Sequence, residues 1–139
     1  MYALVDSNNF YVSCERIFNP TLRHQPIVVL SNNDGCVISR SNEAKKLDIP
    51  MAAAAFEYKN KFKELGVHVF SSNYALYGDM SNRVYRILKN YTPEIEVYSI
   101  DECFLHFNNF STQPLDECGK QIRREILQKT LLPTCIGIA

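Results

Sequence analysis

At 139 residues the chain has room for one domain with a true core, or for a small domain carrying a large insertion; two independent domains are not expected. Hydrophobic residues at 46% and charged residues at 22% argue against disorder, and no apolar run reaches the length of a signal core or a membrane span, so a soluble, intracellular protein is expected. The formal charge is +0, yet residues 19–90 hold ten Lys/Arg against six Asp/Glu (+4) and the flanks hold five against nine (−4).

That split suits a polyanion bound on one part and metal ions on another, although ordinary solvated surface charge is the simpler account of it. The five cysteines, at 14, 36, 103, 118 and 135, are odd in number and lack C-x-x-C spacing, so neither a disulfide framework nor a zinc site is suggested.

In chain order, "MYALV" reads as a short strand ending at Asp6, and "NNFYVSCERIF" as a helix with Asn8 or Asn9 as N-cap. "PIVVLS" is a buried strand, and the turn signal "NNDG" leads into "CVISRS", so residues 26–39 form a hairpin. Two helices follow, "SNEAKKL" and "FEYKNKFKELG", the second capped by Gly66, and then a strand, "VHVFSS".

The strongest helical pattern runs from Tyr74 to Tyr91, with Leu76, Tyr77, Met80, Val84, Ile87, Leu88 and Tyr91 at three- and four-residue spacing. "IEVYSI" and "CFLHF" are strands on either side of Asp101 and Glu102. Pro114 opens a last helix with an inner stripe of Leu115, Cys118, Ile122, Ile126 and Leu127, and acidic Asp116 and Glu117 at its positive end. "TCIGIA" closes the chain as a strand.

With residues near 19–73 set aside as an insertion, the order is strand, helix, strand, strand, helix, strand, the split βαβ or ferredoxin-like plan. Right-handed crossovers in that plan set the first strand antiparallel to the strand after Asp101–Glu102. Asp6 and the Asp101–Glu102 pair, about 95 positions apart in the sequence, then meet at one end of the sheet.

Carboxylates gathered in this way repel one another, and a cation relieves the repulsion. Oxygen ligands without His or Cys select Mg²⁺ or Mn²⁺, and two such ions serve in-line phosphoryl transfer. The competing reading is a solvated hairpin tip, and topology alone leaves the two level. His106 lies four residues beyond Glu102, on a strand that carries it away from the carboxylate end; no role is assigned to it, to His24 or His68, or to the cysteines.

Four linked blocks go further: "LVDSNNFYVSCE", "IVVLSNNDGCVISRSNEAKKLDI", "SSNYALYGDMSNRV" and "YSIDECF". In order and spacing the whole chain resembles the Y-family translesion DNA polymerases, most closely the bacterial branch of SOS mutagenesis. The resemblance implies an α+β fold, a ferredoxin-like (βαββαβ) polymerase palm formed by residues 1–18 and 74–139, with residues 19–73 as a small inserted α/β fingers subdomain.

It further implies that Asp6 and Asp101 ligate two Mg²⁺ ions, or Mn²⁺, with Glu102 completing the carboxylate set and the Ser7 carbonyl as an additional ligand. Tyr11 would be the steric gate that excludes a ribose 2′-OH, where the motif-free reading is a core aromatic. Phe10 would lie along the nucleotide, and Ile38 against the nascent base pair. For the triphosphate, Ser39, Asn42 and Lys45 align with the family's hydroxyl, tyrosine and basic positions. The tyrosine is missing here, and Arg40 is a candidate to compensate.

The implied partners are primer-template DNA and deoxynucleotide triphosphates, together with accessory subunits of the polymerase V type and a sliding clamp for the full-length protein, with no membrane partner and a cytoplasmic, nucleoid-associated location. The family's thumb and little-finger domains are not among these residues, so unaided polymerase activity is expected to be weak or absent. Two further readings stay open, a nucleotide cyclase-like palm enzyme and a non-catalytic interaction module.

Overall fold

A computed structural model describes residues 1–107 and 114–138. The elements are β1 (Tyr2–Ser7), α1 (Phe10–Ile17), a 3-10 turn (Pro20–Leu22), β2 (Ile27–Leu30), β3 (Val37–Arg40), α2 (Asn42–Lys46), α3 (Ala55–Leu65), β4 (His68–Phe70), α4 (Tyr74–Leu88), β5 (Ile95–Ser99), β6 (Glu102–His106), α5 (Leu115–Thr130) and β7 (Thr134–Ile138). The chain divides into two compact units, residues 1–8 with 75–139, and residues 9–74.

In the first unit the strands form one antiparallel sheet in the order β5-β6-β1-β7. β1 and β5 are therefore parallel with β6 between them, as the βαββαβ plan requires. The two-residue period of β1 buries Ala3, Val5 and Ser7 on one face, where Val5 meets Cys103 and Ala3 meets Leu105. Tyr2, Leu4 and Asp6 take the other face.

α4 buries Tyr77, Met80, Val84, Ile87 and Leu88 as its spacing predicts, and ends at Leu88, with single turns carrying the chain through Tyr91. α5 departs from expectation at one position. Leu127 is 46% exposed, and the stripe runs instead through Cys118, Gly119, Ile122, Ile126 and Thr130. At 100° per residue Leu127 lies one step round from Ile126, and a small residue is needed where α5 meets β7. A Cβ built on Gly119 stands 3.4 Å from Ile138 Cδ1 and 3.7 Å from Ile136 Cγ2.

Gly119→Leu is thus expected to overpack this contact and cost about 1–3 kcal/mol. Gly78→Ala, in mid-α4 with nothing within 4 Å of the added carbon, should stabilise by about 0.5–1 kcal/mol. Urea unfolding of the two variants checks the pair, and equal effects would contradict the packing described.

In the second unit β2 is central in the order β3-β2-β4, antiparallel to β3 and parallel to β4. All four residues of β2 are buried, which is why "IVVL" is continuously apolar. Val28 and Leu30 join Val37, Ala44, Ile49, Ala53, Phe62 and Val67 in one core, with Leu47, Ala55 and Tyr58 against it. Gly66 ends α3 at φ 67, the left-handed cap expected of it.

Helix α1 packs on β2, β3 and the 3-10 turn. Arg16 joins it to α2 through Glu43 (2.6 Å), and also donates to the Gln25 carbonyl (2.6 Å). The compact units therefore part after residue 8, whereas the boundary read from the sequence lay at residue 18.

Candidate active site

The turn between β5 and β6 is built to hold its acids. Ser99 pairs with Glu102 across the hairpin, and Tyr98 is the extra residue of a β-bulge, which locally re-aims the side chains. Three bonds fix the loop: Ser7 N–H to the Asp101 carbonyl (2.9 Å), the Ser81 hydroxyl to the Ile100 carbonyl (2.6 Å), and the Ser99 hydroxyl to Asp101 Oδ1 (2.8 Å). Glu102 Oε2 lies 3.4 Å from the same hydroxyl.

The register then places Asp6 directly opposite Glu102, one residue from Asp101. Partial burial first, and then the charges of Asp101 and Glu102, push the Asp6 carboxyl above its ordinary value. Ionising Asp6 beside the other two acids is thus costly, and only oxygen donors are offered. Among the described residues, however, no three His, Cys, Asp or Glu side chains already converge on one point at ligating distance. Ser99 holds Asp101, and touches Glu102, within the turn instead.

His106 is at the far end of the same ladder, opposite Tyr2, stacked on that ring at 4.6 Å and paired with Glu94. Cys14, pushed up to about 12 by burial and then by Glu15, is an inert core thiol.

In the second unit a polar triad joins the starts of α1 and α2. Lys45 Nζ donates to Asn9 Oδ1 (2.8 Å), and Asn9 Nδ2 donates to Asn42 Oδ1 (3.2 Å).

Residues 5–139 match the impB/mucB/samB (IMS) family, and the whole chain aligns with Protein UmuC of Salmonella typhimurium at 49% identity. The chain belongs to the impB/mucB/samB family. It spans about a third (33%) of the length of that relative. Among solved structures it is similar to DinB from Sulfolobus solfataricus, with TM-score 0.88 and 26% identity over 99% of this chain and 41% of that one. An insertion ternary complex of Dbh DNA polymerase gives the same TM-score and identity, covering 99% and 42%. The fold is the α+β, ferredoxin-like palm and inserted fingers of these polymerases. Family membership leaves the cyclase reading without support.

The remaining positions that the resemblance to this family singled out are placed unevenly. Asn42 and Lys45 are brought together through Asn9. Tyr11 is half-buried, edge-on to Tyr74 at 6.1 Å and 5.8 Å from the Phe10 ring. Phe10 itself is 4% exposed, packed in the core because it begins the inner face of α1. Ser39 is also buried, its hydroxyl accepting Val12 N–H at 3.4 Å. Arg40 is drawn to the Ile49 carbonyl (2.9 Å), away from the triad, and Ile38 is half-buried on β3.

Two participants escaped the sequence reading. Ser99 could have been found as a hydroxyl two residues before an aspartate at a turn. Asn9 was taken only for a helix cap, and nothing in the linear sequence couples it to Asn42 and Lys45.

Proposed function

We propose that this chain is the catalytic portion of a template-directed translesion DNA polymerase, adding deoxynucleotides to a primer 3′-OH during the bypass of damage. The observation that carries this reading is the register pairing of Asp6 with Glu102, beside Asp101, in a chain 49% identical to UmuC along its whole length. Among the described residues no helix is long and apolar enough to cross a membrane, in keeping with a soluble, cytoplasmic enzyme.

Two Mg²⁺ ions would be held by Asp6 and Asp101, with Glu102 and the Ser7 carbonyl, and Mn²⁺ fits the same donors. Such ions, when bound, favour the ionised primer hydroxyl and offset charge on the departing pyrophosphate. The donor set suits them: every ligand is oxygen, and the Asp6 carboxyl, raised by burial and then by the charges of Asp101 and Glu102, is one whose ionised form a cation would favour. Ser7 N–H, bonded to the Asp101 carbonyl, keeps the acid-bearing turn in step with β1.

Lys45 and Asn42 offer donors to the triphosphate, and Tyr11 acts as the steric gate against a ribose 2′-OH. Ser39 is buried with its hydroxyl on Val12 N–H, and Arg40 is pinned to the Ile49 carbonyl, so the proposal rests on Lys45, Asn42 and Tyr11. The substrates are deoxynucleotide triphosphates and primer-template DNA. Accessory subunits and a sliding clamp are the partners proposed for the whole protein.

The gate assignment is tested by comparing dATP and ATP affinity in Mg²⁺. Tyr11→Ala should narrow the preference for the deoxy form by about tenfold, the scale on which a packed site rejects one extra group. An unchanged ratio would remove Tyr11 from the site.

A further inference from the structure

We infer that Asn9 is a positioning residue that fixes the hydrogen-bond polarity of Asn42 and Lys45, so that the two side chains present only donors to the phosphates of a nucleotide. This rests on the reading, proposed above, of Asn42 and Lys45 as triphosphate ligands.

The geometry carries the polarity. A lysine ammonium has three donors and no acceptor, so the amide of Asn9 must turn its oxygen to Lys45, at 2.8 Å. Its nitrogen then faces Asn42, which must answer with its own oxygen, at 3.2 Å. With Asn42 Oδ1 taken up, the N–H groups of Asn42 and the remaining N–H groups of Lys45 are left to meet an anion. Without Asn9 the Asn42 amide could present either end, and half of its orientations would set an oxygen against a phosphate.

Asn9 is released for this task by its neighbours. It occupies the N-cap position of α1 in the left-handed region (φ 44, ψ 53), where asparagine is tolerated, yet its side chain makes no cap bond. The amide that such a cap would serve, Val12 N–H, is taken by the Ser39 hydroxyl from β3. Ser41 caps α2 independently, accepting Ala44 N–H at 3.1 Å. Neither helix start depends on the Asn9 side chain, which is thus committed to the triad.

The test is dATP and dAMP binding in Mg²⁺ by calorimetry, with Asn9→Gly, Asn9→Asp and Lys45→Ala. Glycine keeps the positive φ and is tolerated at an N-cap, so melting should change little. Asn9→Gly should weaken dATP about five- to tenfold, the scale of one net hydrogen bond, and leave dAMP unchanged. Asn9→Asp, which covers the case of a misfolded glycine variant, should weaken dATP further by engaging Lys45 with a carboxylate.

Equal losses for dATP and dAMP would show a structural role only and overturn the inference, as would dATP binding untouched by Asn9→Gly while Lys45→Ala weakens it. If Lys45→Ala has no effect on dATP, the underlying triphosphate reading fails, and this inference with it.

Discussion

Asp6→Asn is expected to make the divalent-free protein more stable at pH 7, melting about 2–4 °C above wild type, while abolishing its stabilisation by Mn²⁺. The first effect removes a like-charge cross-strand pair, Asp6 opposite Glu102, worth up to about 1 kcal/mol. The second is larger. An ion present at a hundred times its dissociation constant stabilises by about 2.7 kcal/mol, and the variant should lose that response.

The pH dependence has a definite sign. Asp6 titrates higher in the folded chain than its ordinary 3.8, so its contribution is most favourable below that pH and is lost as pH rises through the folded value. The advantage of the variant should therefore be absent near pH 3 and complete at neutral pH. Differential melts across that range check it, and an advantage that shrinks toward neutrality would contradict the account.

The meeting of Asp6 with Asp101 and Glu102 was legible in the sequence because it needs only element order and strand alternation. Right-handed crossovers in the βαββαβ plan set β6 antiparallel beside β1, so the turn that carries the acids lies at the end of β1 where Asp6 stands. Of what holds the acids, only Ser99 left a signal, as a hydroxyl two residues before Asp101. The bulge at Tyr98 and the hydroxyl bond from Ser81 are matters of local geometry, to which hydrophobic periodicity is blind.

The same holds for Leu127, one residue off the buried stripe, where periodicity cannot distinguish adjacent apolar positions and the decision falls to contact with β7. The burial of Phe10 and Ser39 has a related reason. Each belongs to a motif that suggests a ligand, but the packing of α1 on β2 and β3 turns both inward. Asn9 shows the converse: a residue read as a helix cap became part of the candidate site because Ser39 serves the helix instead.

Phe62→Ala should cost about 3–5 kcal/mol, a large share of the roughly 5–15 kcal/mol typical of a folded domain. Phe62 is 4% exposed, is the one buried residue of α3, and packs among Val28, Leu30, Val37 and Val67 with the Tyr58 ring 5.9 Å away. The neighbouring Phe56 is 82% exposed, and its replacement by alanine should stay within about 0.5 kcal/mol. A shift of the urea midpoint of similar size in both variants would show that α3 is not anchored as described.

The central claim is that the acids at the end of β1 and β6 bind a nucleotide through divalent ions. It is tested most directly by dATP binding to wild type and Asp101→Asn, each measured with Mg²⁺ and with chelator. Wild-type binding is predicted to require Mg²⁺ and to weaken at least about tenfold in Asp101→Asn, as loss of a metal-ligating carboxylate implies. Binding that survives the chelator, or that Asp101→Asn leaves intact, would contradict it.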